Sequence, residues 1–286
     1  MPVPAASLKR LAMIRHVIYL LVAAAVIVPF IARLHVGDFQ PGPHATKLYK
    51  KLDSLPAGTR VLLSFDFDPG SDAELTPMGL ALLRHCFKKD LVPLVMTNYP
   101  AGLDLARKIM EDAVDDSQKL WGKKKVSGRD YVLLGFRPGQ VNLVLKMGEN
   151  LKTAFETDYY GKPTVDMRAL KGVRSLKDLK LVIGISSSAW VETWIIYGAD
   201  RFGFEYGAGA TAVMAPDLYP FLDTGQMVGL LGGLRGAADY EALIKQRGRG
   251  TLGMSAQSAA HLLVIVLVLA ANVRFVFRRL SGREKG

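Results

Sequence analysis

Asp66 and Asp68 stand two residues apart where the apolar run VLLSFD gives way to Pro69-Gly70. Two carboxylates leaving a strand at that spacing can point the same way and share a divalent cation such as Mg²⁺, which prefers carboxylate oxygens and keeps several of its waters. Without a cation they would repel each other. The same stretch also reads as a turn running into a helix cap, since Asp68-Pro69-Gly70-Ser71-Asp72 is built from residues that favour both. Thr97 and Asn98 follow a second apolar run, Arg137 a third, Ser186, Ser187 and Ser188 a fourth, and Asp217 a fifth. Their hydroxyl, amide, guanidinium and carboxylate groups could capture a small anionic or polar ligand. The five histidines, His16, His35, His44, His85 and His261, are scattered, so a Ser-His-Asp triad has almost no candidate base. His85, in RHCFKK, is expected on a helix surface, and Cys86 reads as a small buried hydrophobe. No Walker loop, dinucleotide fingerprint, Cys-x-x-Cys pair or histidine-rich metal spacing occurs.

The elements that must hold these residues follow from the pattern between 60 and 246. Short apolar runs at 61–66, 92–97, 131–136, 179–185 and 210–215 alternate with longer periodic stretches at 72–89, 101–120, 140–155, 190–202 and 224–245. Such alternation predicts βα units. The runs are continuously apolar, as strands covered on both faces are. The expected domain is therefore a five-stranded, mostly parallel, doubly wound α/β sheet of Rossmann or flavodoxin type. In such sheets the ligand crevice lies beyond the carboxyl ends of the strands, where strand order reverses. The residues named above all fall at those ends. Residues 35–59, rich in Pro and Gly around ATKLYKKLDSL, read as a linker, and 247–255 as a second one. Lys123, Lys124 and Lys125 read as a solvated loop.

VLLSFDFDP, followed about thirty residues later by LVPLVMTN, resembles the first two motifs of haloacid dehalogenase-like phosphohydrolases. The resemblance implies Asp66 as the nucleophile toward phosphorus, Asp68 as general acid and base, Thr97 on the phosphoryl oxygens and Mg²⁺ as cofactor. It covers fewer than forty residues. Pro69-Gly70 replaces the family's Gly-Thr, and LVIGISSSAW carries serines where the family's metal-binding acids would stand.

The ends of the chain have a different chemistry. Residues 17–32, VIYLLVAAAVIVPFIA, carry no charge, and neither do 259–273, AAHLLVIVLVLAANV, which continue past Arg274 to Phe277. Each approaches the length needed to span a bilayer. A cleaved leader is the competing reading of the first, a buried core helix that of the second. Lys9, Arg10 and Arg15 precede the first stretch, and Arg278, Arg279, Arg283 and Lys285 follow the second. Basic flanks of this kind favour the cytoplasmic side. The expected arrangement is two anchors in the plasma (inner) membrane, at 1–34 and 256–286, with cytoplasmic termini and the α/β domain on the outer side. Residues 1–34 hold four cations and no acid, residues 255–286 five cations and one acid, leaving a middle with 28 cations and 25 acids. The formal charge of +11 is thus mostly terminal, and the folded part lacks the basic stripe of a nucleic-acid binder.

The segment 206–241 is dense in glycine. Gly225, Gly229 and Gly233 are four apart, as are Gly232 and Gly236, which on a helix would give smooth faces. Such faces suit tight packing inside the domain, or a subunit contact of the small-xxx-small kind. The leading functional expectation is an interaction or assembly subunit of a membrane complex, without catalysis or cofactor. Its partners would be the lipid bilayer and other membrane subunits, a homo-oligomer included. The alternatives are a membrane-bound Mg²⁺-dependent phosphohydrolase and a small-ligand-binding module.

Overall fold

The computed structural model describes residues 5–32 and 40–280; the expectations for 1–4, for 33–39 of the first linker and for the basic tail from 281 lie outside the described residues. The chain divides into a compact unit, Gln40–Thr251, and a second unit holding the two long terminal helices.

Six strands form the sheet of the first unit: β1 (Arg60–Asp66), β2 (Val92–Thr97), β3 (Val132–Phe136), β4 (Leu181–Ser186), β5 (Glu205–Ala210) and β6 (Leu230–Gly232). Their order is β3-β2-β1-β4-β5-β6, and every neighbouring pair is parallel. The order reverses between β1 and β4, the place where doubly wound folds keep their ligands. Helix α1 (Ala5–Ile31) precedes this unit. Within it come α2 (Pro43–Asp53), α3 (Asp72–Lys88), α4 (Leu103–Trp121), α5 (Val141–Glu149) and α6 (Leu151–Ala154). There follows a broken helix, made of α7 (Trp190–Thr193), a π-helical turn Trp194–Ala199 and α8 (Asp200–Phe202), and then α9 (Tyr219–Asp223) and α10 (Gly233–Leu243). Helix α11 (Arg249–Leu280) ends the described chain.

Strand side chains alternate between two faces. Leu63, Phe65, Val95, Leu133, Ile183 and Ile185 face a core closed by α2, α3, α4 and α10. Leu62, Leu94, Met96, Leu134, Val182 and Tyr206 face a second core beneath α5, α6 and the broken helix. Each fully buried apolar side chain contributes about 1.5–3 kcal/mol. The helices are amphipathic where they should be: α4 buries Ala106, Ile109, Met110, Ala113 and Ser117, one stripe at helical spacing. It stops at Gly122, whose φ of 64° is the left-handed C-cap that glycine adopts without penalty.

Five sequence expectations are corrected here. The sheet has six strands, not five, because β6 is three residues long inside a glycine-rich stretch that carries little strand propensity. The fifth strand lies at Glu205–Ala210, and 211–214 form a turn instead of the strand expected at 210–215. The long helix expected over 224–245 is split: Gly225 sits in a turn at φ +78°, β6 follows, and α10 begins at Gly233 with φ +58°. Gly225, Gly229, Gly232, Gly233 and Gly236 therefore do not share a helix face. Gly229 and Gly236 are buried against their own domain, where an added β-carbon would stand 2.7 Å from Leu48 and 2.6 Å from the Leu231 backbone. Residues 43–53 of the expected linker belong to the domain, since α2 buries Ala45, Leu48 and Leu52 in its core.

The fifth correction is His85, expected on a surface and found 1% exposed. Its Nδ1 lies 2.8 Å from Tyr240 Oη and its Nε2 3.2 Å from Asp53 Oδ1, with the ring stacked on Tyr49. Burial pushes the imidazole down to about 4, so at neutral pH it is uncharged. Nδ1 then accepts from the tyrosine while Nε2–H donates to the carboxylate. α2, α3 and α10 are tied together by this chain. Cys86 is buried beside it, as expected, and burial pushes its thiol up to about 12.

In the second unit, Ala12–Ile31 of α1 and Arg249–Phe277 of α11 are long and apolar enough to cross a membrane. Their apolar side chains point outward, with Leu20 71% and Phe277 66% exposed.

Candidate functional site

The carboxyl ends of β1, β2 and β4 converge on Asp66. Strand alternation puts Ser64 and Asp66 on the same face of β1, and register sets Ser64 beside Gly184 and Asp66 beside Ser186 on β4. The Asp66 carboxylate is 1% exposed. Its Oδ1 accepts from the Asn98 backbone N–H at 2.6 Å, and its Oδ2 from Ser64 Oγ at 2.7 Å. Asn98 Nδ2 donates to Ser64 Oγ at 3.2 Å and reaches Asp66 Oδ2 at 3.4 Å. Burial outweighs these donors and pushes the carboxyl up to about 6. The Trp194 indole N–H also acts to lower it, yet it completes no hydrogen bond of good geometry. It acts as a nearby dipole and not as a bond.

Tyr206 completes the cluster from β5. Its ring extends over Gly184, whose missing side chain leaves the necessary room: a β-carbon there would overlap the phenol oxygen. Burial, with the Asp66 charge as a second cause, raises the phenol well above its ordinary range. Asn98 Oδ1, Trp194 Nε1 and Tyr206 Oη are all buried without a hydrogen-bond partner. Buried polar atoms are ordinarily satisfied, so three such atoms around one carboxyl set this place apart from the rest of the core. Gly184→Ala is expected to lower stability by about 2 kcal/mol through overpacking against Tyr206, and the double variant with Tyr206→Phe to recover part of that loss, as read by thermal unfolding.

A cavity of about 240 Å³ opens nearby, between the β3–α5 and β4–α7 connections. Gln140, Val141, Ser188, Ala189, Trp190 and Thr193 line it. Ser188 links it to the cluster: its N–H donates to Ser186 Oγ at 3.1 Å, and that hydroxyl lies 3.2 Å from the Asp66 carbonyl oxygen. Gln140 has a φ of 49° and a ψ of −125°, a backbone conformation that side-chain-bearing residues avoid. The π-helical turn follows α7 directly, and such turns are frequent at functional sites.

Of the residues singled out from sequence, the structure gathers Asp66, Asn98, Ser186 and Ser188 and disperses the others. Asp68 caps its own turn, accepting from Gly70 N at 2.9 Å. Thr97 Oγ1 exchanges hydrogen bonds with the Tyr99 backbone. Arg137 donates to the carbonyls of Phe136 and Thr157 and covers the Phe155 ring, so it holds a loop and does not reach the crevice. Asp217 is exposed in a 3-10 turn, and Ser187 is half-buried. Among the described residues, no group of three or more His, Cys, Asp or Glu side chains could hold a metal ion. Ser64, Gly184, Trp194 and Tyr206 were missed. Ser64 had a usable signal, because a residue two before Asp66 on a strand must share its face.

No family model matches the sequence, and no curated protein matches it. Among solved structures, a trehalose-6-phosphate synthase is similar over 82% of this chain and 48% of its own, at 10% identity and a TM-score of 0.28. The chain thus spans about half the length of that structure, and a likeness at this level carries no argument about ligand or activity.

Proposed function

We propose that the chain is a membrane-anchored α/β module that binds a small uncharged polar molecule in the cavity between the β3–α5 and β4–α7 connections. The observation that carries this reading is Gln140, held in a strained backbone conformation on the wall of the cavity. Strain of that kind costs about 1–3 kcal/mol and collects at ligand clamps and active sites. The wall suits an uncharged polar guest, with two hydroxyl-bearing residues (Ser188, Thr193), one amide (Gln140), Trp190 and no charged side chain. Ser186 joins this wall to the main-chain carbonyl of Asp66, whose buried carboxyl is pushed up to about 6. The two apolar helices hold the module at the plasma (inner) membrane, basic ends on the cytoplasmic side and the α/β unit outside.

Saturation-transfer NMR on the detergent-solubilised full-length protein, with glucose and adenosine as probes, tests this. At least one probe is expected to bind, and Gln140→Gly to weaken that binding severalfold while raising stability by about 1 kcal/mol as strain is relieved. Failure of both probes at millimolar concentration, or unchanged binding by the variant, sinks the reading.

A second reading, an interaction or assembly subunit of a membrane complex, is favoured by Val213, 86% exposed on the connection after β5, with Tyr219 exposed a few residues on. Under it neither probe binds, and the partner is another membrane subunit or a second copy. The phosphohydrolase alternative requires Asp66 free to attack phosphorus, Asp68 turned toward the same place, and Mg²⁺ held between them. The hydrogen bonds of both carboxylates weigh against it.

A further inference from the structure

We propose that α1 and α11 form, at their basic end, a binding site for an anionic phospholipid, with the phosphate on Arg274 and an acyl chain in the groove beside it. The two helices face each other along that groove, which has a volume of about 600 Å³. Met13, Val17 and Leu21 line one side, four residues apart, and Leu267, Ala271 and Arg274 the other. Those spacings put each set on a single helix face. Arg274 lies inside the apolar stretch Arg249–Phe277, where a charged side chain is costly unless it meets a partner or the headgroup layer. Neither α1 nor α11 contains an Asp or a Glu, so neither helix supplies a counter-charge. Lys9, Arg10 and Arg15 on α1, with Arg278 and Arg279 on α11, belong to the same end of the pair. An anion must therefore come from outside these helices, and basic pockets between membrane helices take lipid phosphate groups.

The apolar walls, Met13, Val17 and Leu21 opposite Leu267 and Ala271, suit an acyl chain lying beside the arginine. Phosphate in free solution would use Arg274 and leave the apolar walls uncovered, so the source assigned is the bilayer lipid.

Native mass spectrometry of the full-length protein in mild detergent, offered equal amounts of phosphatidylglycerol and phosphatidylcholine with the same acyl chains, reads the outcome. Phosphatidylglycerol is expected to be retained preferentially. Arg274→Gln should reduce that preference about fivefold, the effect of one basic side chain near an anionic surface, and Arg274→Lys should largely keep it. Arg279→Gln, outside the groove, should change it less than Arg274→Gln does. Equal retention of the two lipids overturns the proposal. So does an equal effect of the two glutamine variants, which would mean diffuse attraction and no site, or a lipid-free dimer with a second copy seated in the groove.

Discussion

Glu241→Ala is expected to lower the stability of the Gln40–Thr251 unit by about 4 kcal/mol, the largest effect of any single substitution considered. Glu241 is 1% exposed, and its carboxylate accepts four hydrogen bonds. They come from the backbone N–H groups of Gly248, Gly250 and Thr251 at 2.8, 2.9 and 2.8 Å, and from Thr251 Oγ1 at 2.6 Å. The acceptor thus closes the turn after α10 and satisfies the first N–H groups of α11, which have no partner within their own helix. Hydrogen bonds to a charged group contribute about 1.5–3 kcal/mol each, and a buried donor left without its acceptor costs about 1–3 kcal/mol. Summing four would overshoot, because water can reach Gly248 and Thr251 once the side chain is gone, so a total near 4 kcal/mol follows. Glu241→Gln should fall between the two proteins, since one amide oxygen remains while the amide N–H₂ meets donors. Limited trypsin digestion gives an independent readout: Arg247 and Arg249 flank Gly248, and cleavage there should accelerate in Glu241→Ala well before the domain melts. Unchanged cleavage and unchanged unfolding would mean that the turn is held by other contacts.

How much of this was legible in the sequence depends on what each signal measures. Continuous apolar runs registered β1, β2, β3 and β4 because burial on both faces leaves a compositional mark. β5 and β6 left a weaker one. Their core is filled with Gly207, Gly209 and Gly229, whose value lies in letting Leu48, Met78 and the α2 backbone come close, and a glycine chosen for close approach looks like a strand breaker. α2 was hidden by the Pro and Gly around it, although Leu48 and Leu52 carried the helical spacing. At the site, Asp66 and Asn98 were visible as strand-end polar residues. Tyr206 and Trp194 were not, because nothing local reveals that an aromatic side chain will cross a neighbouring strand over Gly184. Arg137 misled for a related reason: a cation at a strand end is as useful for bonding loop carbonyls as for holding a ligand, and only the neighbours decide.

Asp66→Asn is expected to stabilise the protein at pH 7.5 by up to about 3 kcal/mol, and by almost nothing near pH 4. The sign follows from the direction of the shift. Burial raises the folded carboxyl to about 6 from an ordinary value of 3.8, so between those limits the folded chain binds a proton that the unfolded chain has released. Stability therefore falls as pH rises through that window, and the full penalty of an ionised, buried carboxylate is present above it, about 3 kcal/mol at ~1.4 kcal/mol per unit. Asparagine keeps an oxygen for the Asn98 N–H, offers its own N–H₂ to Ser64 Oγ, and carries no charge to desolvate. The difference between variant and wild-type stabilities, measured by denaturant unfolding from pH 4 to pH 8, should rise between about pH 4 and pH 6 and then level off. A difference flat across that range would mean that solvent reaches the carboxylate and that the cluster is an ordinary polar corner. The Asp66 carboxyl itself is bonded to Ser64 and Asn98, and only its main-chain carbonyl meets the Ser186 hydroxyl that leads to the cavity. In the ligand-binding reading the stabilised variant should keep the cavity and its probe binding at pH 4, and any change in binding confined to higher pH would assign the carboxyl a role beyond architecture.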